Sequence, residues 1–359
     1  MHVLHLHDRL SERGGAEVYL RTLIEALAGS HSQTLAVETV DPGVDSPCSL
    51  ERVPGLGSAT ASPVDLEGLI ERVRPDVVHV HNVSNPTALE AAARHNALMT
   101  VHDHRSFCPG RGKWTAENAV CREAMTPAVC APCFEQTDRW EKMVTLTEAR
   151  QRGMAGFHLH VLSDYMAGEL RAVGVEEERL TRIPPAVRHL DGAGANTARD
   201  CILFVGRLSV AKGVDAAMEA WKRSELTHPL VFAGTGRERS RVEAAGFHVT
   251  GWLSAAELEG WYQRALAVIL PSRWQEPFGL VGIEALVRGI PVVAWESGGV
   301  SEWHPGGELL VPWGDVEGLG KALRMAPGSA VPLLPDRSGR LLAERMTSLY
   351  RIVTQQCIP

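Results

Sequence analysis

Two segments of the chain carry charged residues next to glycine turns, a pattern suited to gripping a phosphorylated ligand. In PSRWQEPFGLVGIEALVRGIPVVA, residues 271–294, a strand ends at Ser272, a loop carries Glu276, and a helix starts around Phe278–Gly279. Gly279 lets a ligand approach the backbone closely. The amides of that helix start, expected to be those of Phe278, Gly279 and Leu280, would suit a phosphate or sugar oxygen. Glu284 follows eight positions after Glu276. The two carboxylates could therefore hold different parts of one extended ligand; the competing reading is a pair of solvated surface charges. In ILFVGRLSVAKGVDAAMEAW a strand delivers Gly206 and Arg207 to its carboxyl end, and Lys212 comes five positions later. Two cations at one strand end could neutralise a diphosphate, although either alone would ordinarily be solvated.

A third group lies between His102 and Thr137. It contains Cys108, Cys121, Cys130 and Cys133, the last two spaced as Cys-x2-Cys. Four thiolates suit a tetrahedral zinc ion, which would give a long loop the core it otherwise lacks. Reduced thiols, a redox disulfide or an iron–sulfur cluster are the alternatives. Arg105, Arg111, Lys113 and Trp114 share this loop. Its cations could meet an anionic acceptor or a membrane surface, but solvated loop charges are the simpler reading. His79 and His81 alternate along DVVHVH and so share a strand face, and packing could explain both.

The elements that must position these residues follow from hydrophobic patterning. Short β-rich runs alternate with helix-length amphipathic segments, the pattern of βαβ units and a parallel sheet. HVLHLH, QTLAVETV, DVVHVH, ALMTVH and FHLHVLS form a first series of strands, with a helix over about 16–28. CILFVG, PLVFAG, HVTGW, AVILPS, PVVAW and ELLVP form a second, with helices near 212–224, 254–265 and 279–288. The Pro-, Gly- and polar-rich segment 183–200 reads as a linker. The expected division is a first domain over 1–185, carrying the Cys-rich loop 104–137, and a second over 186–335. A C-terminal helix over 336–359 could return to the first domain. Open parallel sheets bind ligands beyond the carboxyl ends of their strands.

Composition bounds the function. At 359 residues, two domains of roughly 150 residues are expected. The net charge of −7 without a basic block argues against general nucleic-acid binding. The longest apolar runs, such as ALAVIL at Ala265, are far short of the ~20 residues that span a bilayer. The N-terminus lacks the layout of a secretory signal. The expectation is a soluble, cytoplasmic protein with at most peripheral contact at the inner face of the membrane. Cys48, Cys201 and Cys357 have no ligand spacing.

EPFGLVGIE, VGRLSVAKG, FAGTG and GIPVVAWESGGVSE resemble the retaining family-4 glycosyltransferases. GGAE at Gly14–Glu17, DVVHVHN and TVHD are similar to that family's first domain, and some bacterial members carry a comparable cysteine loop. The resemblance covers about residues 1–325. It implies an α/β, GT-B fold, with two Rossmann-like parallel-sheet domains facing a central cleft. It implies a nucleotide-sugar donor, UDP-sugar first and GDP-sugar next, and a glycan, lipid-linked or small-molecule acceptor. Arg207 and Lys212 would contact the diphosphate, and Glu284 the ribose. Glu276 and the backbone of Phe278, Gly279 and Leu280 would hold the sugar and distal phosphate. Trp252 and Leu253 would lie by the base, Gly234 in FAGTG would line the donor site, and Gly14 and Gly15 would approach the phosphate. His102 would face the transferred sugar near the acceptor. Transfer would retain configuration without a catalytic divalent metal. The segment IPPAV departs from the family's hinge.

Other functions find fewer of the residues they need. A sugar-nucleotide epimerase needs acid and base groups at the sugar ring, and a phosphorylase a pyridoxal-phosphate lysine; neither is identifiable. A non-catalytic zinc-bearing interaction protein on the same scaffold would have no use for Arg207, Lys212, Glu276 and Glu284. A dinucleotide dehydrogenase fits poorly, because GTGRER has Arg239 where the third glycine of the fingerprint belongs.

Overall fold

The computed structural model describes residues 1–58, 62–134, 136–187 and 198–355. Residues 188–197 of the expected linker, and Cys357, lie outside the described residues. Contacts gather the chain into two compact units. The first comprises residues 1–112, 123–186 and the segment from Asp336 onward; the second comprises 113–122 and 187–335.

The first unit contains strands β1 (His2–Leu10), β2 (Ser32–Val40), β3 (Ser49–Arg52), β4 (Val77–Val80), β5 (Ala97–Thr100), β6 (His158–Val161) and β7 (Leu180–Arg182). Its helices are α1 (Gly15–Leu27), α2 (Leu66–Val73), α3 (Pro86–Ala92), α4 (Pro127–Cys130), α5 (Thr137–Gly153) and α6 (Asp164–Ala172). The strands form a parallel sheet ordered β3-β2-β1-β4-β5-β6-β7. The second unit contains β8 (Cys201–Val205), α7 (Val214–Ser224), β9 (Leu230–Ala233), α8 (Arg239–Ala244), β10 (His248–Gly251), α9 (Ala255–Arg264), β11 (Ala265–Leu270), α10 (Leu280–Leu286), β12 (Val292–Trp295), β13 (Leu310–Val311) and α11 (Val316–Met325). Its parallel sheet runs β10-β9-β8-β11-β12-β13. Both are doubly wound, with the order reversing beside the first strand, β1 or β8. Every strand expected from the patterning is present. The last helix, α12 (Gly339–Gln355), packs on α1, β4 and β5 of the first unit.

Local signals fix the element ends. Asn85 caps α3, accepting from Thr87 N at 2.9 Å, and Pro86 occupies the first helical position. Ser254 and Glu257 close a capping box on α9.

The two faces of the first sheet differ in chemistry. One is apolar: Leu4, Leu6, Val78, Val80, Ala97, Met99, Leu159 and Val161 share a core cluster. The other carries His5 and His7 from β1, Gln33 from β2, His79 and His81 from the β4 region, Thr100 from β5 and His160 from β6. All seven are buried. Strand register explains this segregation, since His5 pairs with His79, Thr100 with His160, and side chains alternate along each strand. Burying so many polar rings is costly unless each finds partners. His79 does: its Nδ1 is 2.9 Å from the Tyr350 hydroxyl of α12, and its Nε2 is 2.7 Å from Thr100 Oγ1. Thr100 Oγ1 in turn lies 2.9 Å from His160 Nδ1, and His160 Nε2 lies 2.9 Å from the Ile183 carbonyl. Among the described residues no helix is long and apolar enough to cross a membrane.

Candidate functional site

In the second unit the candidate residues stand at the carboxyl ends of the parallel strands. Gly206 and Arg207 follow β8, Gly234 follows β9, Trp252 and Leu253 follow β10, and the 271–279 loop follows β11. Two glycines let neighbouring strand ends touch: a Cβ on Gly234 would sit 1.9 Å from the Gly206 carbonyl oxygen. Gly213 (φ +72°) does the same between loops, because a Cβ there would sit 1.7 Å from the Pro271 carbonyl oxygen. The amides of Arg273 and Trp274 donate to the Ala211 carbonyl at 2.9 and 3.1 Å.

This clamp brings Lys212 onto Glu276. Lys212 Nζ donates to Glu276 Oε1 at 2.7 Å and lies 4.4 Å from the Trp274 ring centroid. Ser272 Oγ donates to the same carboxylate oxygen. Glu276 is buried. Burial alone would raise its pKa, but the Lys212 charge and the hydrogen bonds from Lys212, Ser272 and Trp274 hold it below the ordinary carboxylate value. Its backbone is fixed too: the carbonyl accepts from Gly299 N at 2.8 Å, and a Cβ on Gly298 would lie 2.4 Å from that oxygen. Gly298 of WESGGVSE is therefore a packing requirement of the Glu276 loop.

Gly279 is left-handed (φ +86°) and begins α10. Trp303 packs beneath this turn, its Nε1 donating to the Phe278 carbonyl. Phe278 is buried, while Gly279 and Leu280 are half-buried. Glu284 belongs to a second cluster. The Tyr262 hydroxyl donates to its Oε2 at 3.0 Å, Arg288 Nη1 donates to its backbone carbonyl at 2.7 Å, and Arg288 pairs with Glu259 at 2.7 Å. Burial raises the Glu284 pKa, outweighing the hydrogen bond from Tyr262 and the charge of Arg288. Arg207 is exposed and makes no ion pair among the described residues. The two expected diphosphate cations thus differ: Lys212 is anchored, Arg207 is not.

In the first unit Gly14 (φ +131°) precedes α1, with Gly15 as its first residue. Glu17 folds back over this helix start and pairs with Arg9 at 2.7 Å. His102 follows β5 and is half-buried. Its Nε2 is 3.1 Å from His81 Nδ1, and Tyr19 meets its ring edge-on at 5.1 Å between centroids. Burial, then the nearby His7, His160 and Arg105, hold its pKa well below the usual imidazole value. His102, Asp103 and Arg105 line one hollow. Arg105 is not a free loop cation: it donates to Asp103 Oδ2 at 2.7 Å and to Asn82 Oδ1 at 2.9 Å. Lys113 and Trp114 are buried as well, contrary to the reading of this loop as solvated charge.

The cysteine loop departs from expectation. Cys108, Cys121, Cys130 and Cys133 are each half-buried. Among the described residues the one group of three or more potential ligands whose donor atoms lie within 4.8 Å of one another is His5, His79 and His81. The four sulfurs are not gathered, so this arrangement does not fit a tetrahedral zinc site. Cys-x2-Cys spacing permits convergence but cannot bring in two further thiols from loop-like separations.

Sequence reasoning missed Tyr262 and Ser272 as partners of the two glutamates, and His5 and Gln33 altogether. The alternation in HVLHLH, matching that in DVVHVH, was the available signal for the histidines.

Comparison with known proteins agrees with this fold. Residues 13–189 match the family model for Glycosyltransferase Family 4, and residues 199–326 that for Glycosyl transferases group 1. The chain is 36% identical over 300 residues to a glycogen synthase of Mycobacterium tuberculosis, covering 77% of this chain and 65% of that protein. It therefore spans just under two thirds of that relative. It is 28% identical over 348 residues to a D-inositol 3-phosphate glycosyltransferase of Acidothermus cellulolyticus, covering 87% and 73%. The fold matches that of Anabaena HepE, solved in complex with UDP-glucose, with a TM-score of 0.64 at 15% identity over 99% of this chain and 98% of that one. Two doubly wound sheets, each overlapping one of these models, mean that the chain belongs to the family 4/group 1 glycosyltransferases of GT-B type.

Proposed function

We propose that the chain transfers a sugar, with retention of configuration, from a nucleotide-diphosphate sugar to a hydroxyl acceptor. The observation that carries this is the Lys212–Glu276 pair beside the Gly279 turn, with Arg207 exposed at the adjacent strand end. In this reading Lys212 and Arg207 stabilise the negative charge that develops on the diphosphate as the sugar–oxygen bond breaks. The amides at Phe278, Gly279 and Leu280 hold the distal phosphate, and Glu276 holds the sugar. Glu284 accepts from the ribose hydroxyls. Gly234, Trp252 and Leu253 line the donor site, and Gly14 and Gly15 approach the phosphate. The acceptor oxygen attacks the anomeric carbon on the face the diphosphate leaves, and the departing phosphate oxygen takes the acceptor proton. His102 contacts the sugar or acceptor. This chemistry asks no divalent metal of the protein. A relative solved with UDP-glucose supports a uridine donor, with GDP-sugars second. The acceptor class is a glycan, lipid-linked or small-molecule hydroxyl, and the relatives' names support the first and last.

A thermal-shift screen against UDP, GDP, ADP and their sugars tests this, since a ligand of the native state raises the melting temperature. A shift with one nucleotide family, followed by release of that nucleoside diphosphate and an axial-to-axial product by NMR, is the expected result. Stabilisation by a nicotinamide dinucleotide alone would overturn it.

A further inference from the structure

The buried histidines of the first sheet form an ordered chain that ends at His102. We propose that Gln33, His5 and His81 act as a tautomer relay, holding His102 with its proton on Nε2 and leaving the Nδ1 lone pair to accept a hydrogen bond from a ligand hydroxyl. The proposal rests on the reading above, in which His102 faces the sugar or acceptor.

The direction of the relay is set at its far end. Gln33 Nε2 donates to the Ile24 carbonyl at 3.0 Å. Ile24 lies in the last turn of α1, where carbonyls have no helical partner. A carbonyl only accepts, so the amide nitrogen of Gln33 must face it and the amide oxygen must face away. That oxygen lies 3.1 Å from His5 Nε2, which must therefore carry a proton.

A neutral imidazole has one donor and one acceptor, so the state of each ring dictates the next. With its proton on Nε2, His5 presents a bare Nδ1, 3.3 Å from His81 Nε2. His81 must then be protonated at Nε2 and bare at Nδ1. His81 Nδ1 lies 3.1 Å from His102 Nε2, so His102 donates there and keeps Nδ1 as an acceptor. Reversing any link would set two protons or two lone pairs face to face. Neutrality is enforced by burial, which lowers the His5 pKa to about 4 and keeps His81 and His102 well below their ordinary value. In the opposite tautomer Nδ1 would be a donor and could not accept from a hydroxyl.

The same rings invite a second reading, a metal site of His5, His79 and His81. Every ring nitrogen of the three already has a partner: Gln33, His81, His102, Tyr350 and Thr100 account for them. An ion would have to displace those bonds, and the hydrogen-bonded chain is the better account. Gln33, His5 and His81 are thus positioning residues.

The test is the tautomeric state itself. The full chain, labelled with ¹⁵N-histidine, is examined near pH 7.5 by long-range ¹H–¹⁵N spectroscopy, with signals assigned by loss in His81→Gln and His102→Gln. His5, His81 and His102 should each show a protonated Nε2 and a bare Nδ1. Gln33→Met removes the acceptor that orients the chain. It should give mixed tautomers at His102 and lower kcat about tenfold, with the donor KM little changed. Tyr350→Phe belongs to the separate His79 chain and should leave the His102 spectrum as in the parent. A protonated Nδ1 on His102 in the parent protein, or an unchanged His102 spectrum in Gln33→Met, overturns the relay. Stoichiometric uptake of added Zn(II) that shifts His5, His79 and His81 together overturns it in favour of a metal site. An altered tautomer with unaltered kcat overturns the ligand-facing half, and with it the placing of His102 against substrate.

Discussion

Lys212 Nζ stands 2.7 Å from Glu276 Oε1, and the two residues are 64 positions apart in the chain. The lysine is a quarter exposed while the carboxylate is almost entirely buried, so the cation neutralises a charge that water cannot reach. Lys212 therefore has a structural duty that Arg207 lacks, and the two cations separate experimentally.

Lys212→Ala should abolish transfer and also lower stability by about 2–4 kcal/mol, because Glu276 is left as a buried charge without its partner. Arg207→Ala should abolish transfer while shifting stability by less than about 0.5 kcal/mol, as for an exposed side chain with no ion pair. Urea midpoints measured beside initial rates decide it. Equal stability in the two variants would remove the structural role of Lys212.

Glu284→Gln should weaken nucleotide binding about tenfold, the worth of a charge-assisted hydrogen bond, while a glutamine oxygen can still accept from Tyr262. Burial raises the Glu284 pKa, so in the parent protein nucleotide affinity should fall as pH drops through that raised value. The glutamine variant should lose this dependence. Calorimetry across mildly acidic pH checks both, and an unchanged affinity would remove Glu284 from the donor site.

Acid should destabilise the first unit before its carboxylates titrate. His5 and His160 are lowered to about 4, and His79, His81 and His102 are also lowered, in every case chiefly by burial. The unfolded chain then binds more protons than the folded one between the ordinary histidine value of 6.5 and the lowered folded values. Stability is whole above pH ~6.5 and is lost as pH falls toward about 4, with on the order of two to four protons taken up on unfolding near pH 5. Denaturant midpoints against pH measure that slope. A flat profile from pH 7 to 5 would mean that the rings are not held neutral.

Much of the fold was legible because the signals are local. CILFVG, AVILPS and PVVAW are apolar runs bounded by turn residues, and they are central strands of the second sheet. The helix starting near Gly279 was readable because only a glycine takes that left-handed turn easily. The cysteine loop shows the limit. Cys130 and Cys133 are close by sequence, but whether Cys108 and Cys121 converge on them depends on the path of the intervening chain, which spacing does not encode.

By itself the sequence determined the strand–helix alternation, the strand-end placing of Arg207, Lys212 and Glu276, and the family motifs. Each depends on residues a few positions apart or on periodicity within one element. Only the tertiary structure decided that Lys212 neutralises Glu276, that Glu284 sits with Tyr262, and that His5, His81 and His102 share one hydrogen-bonded line. Those contacts join residues from about twenty to more than seventy positions apart, through strand register and loop packing, and single-chain patterning carries no record of which distant side chains a parallel sheet will lay side by side.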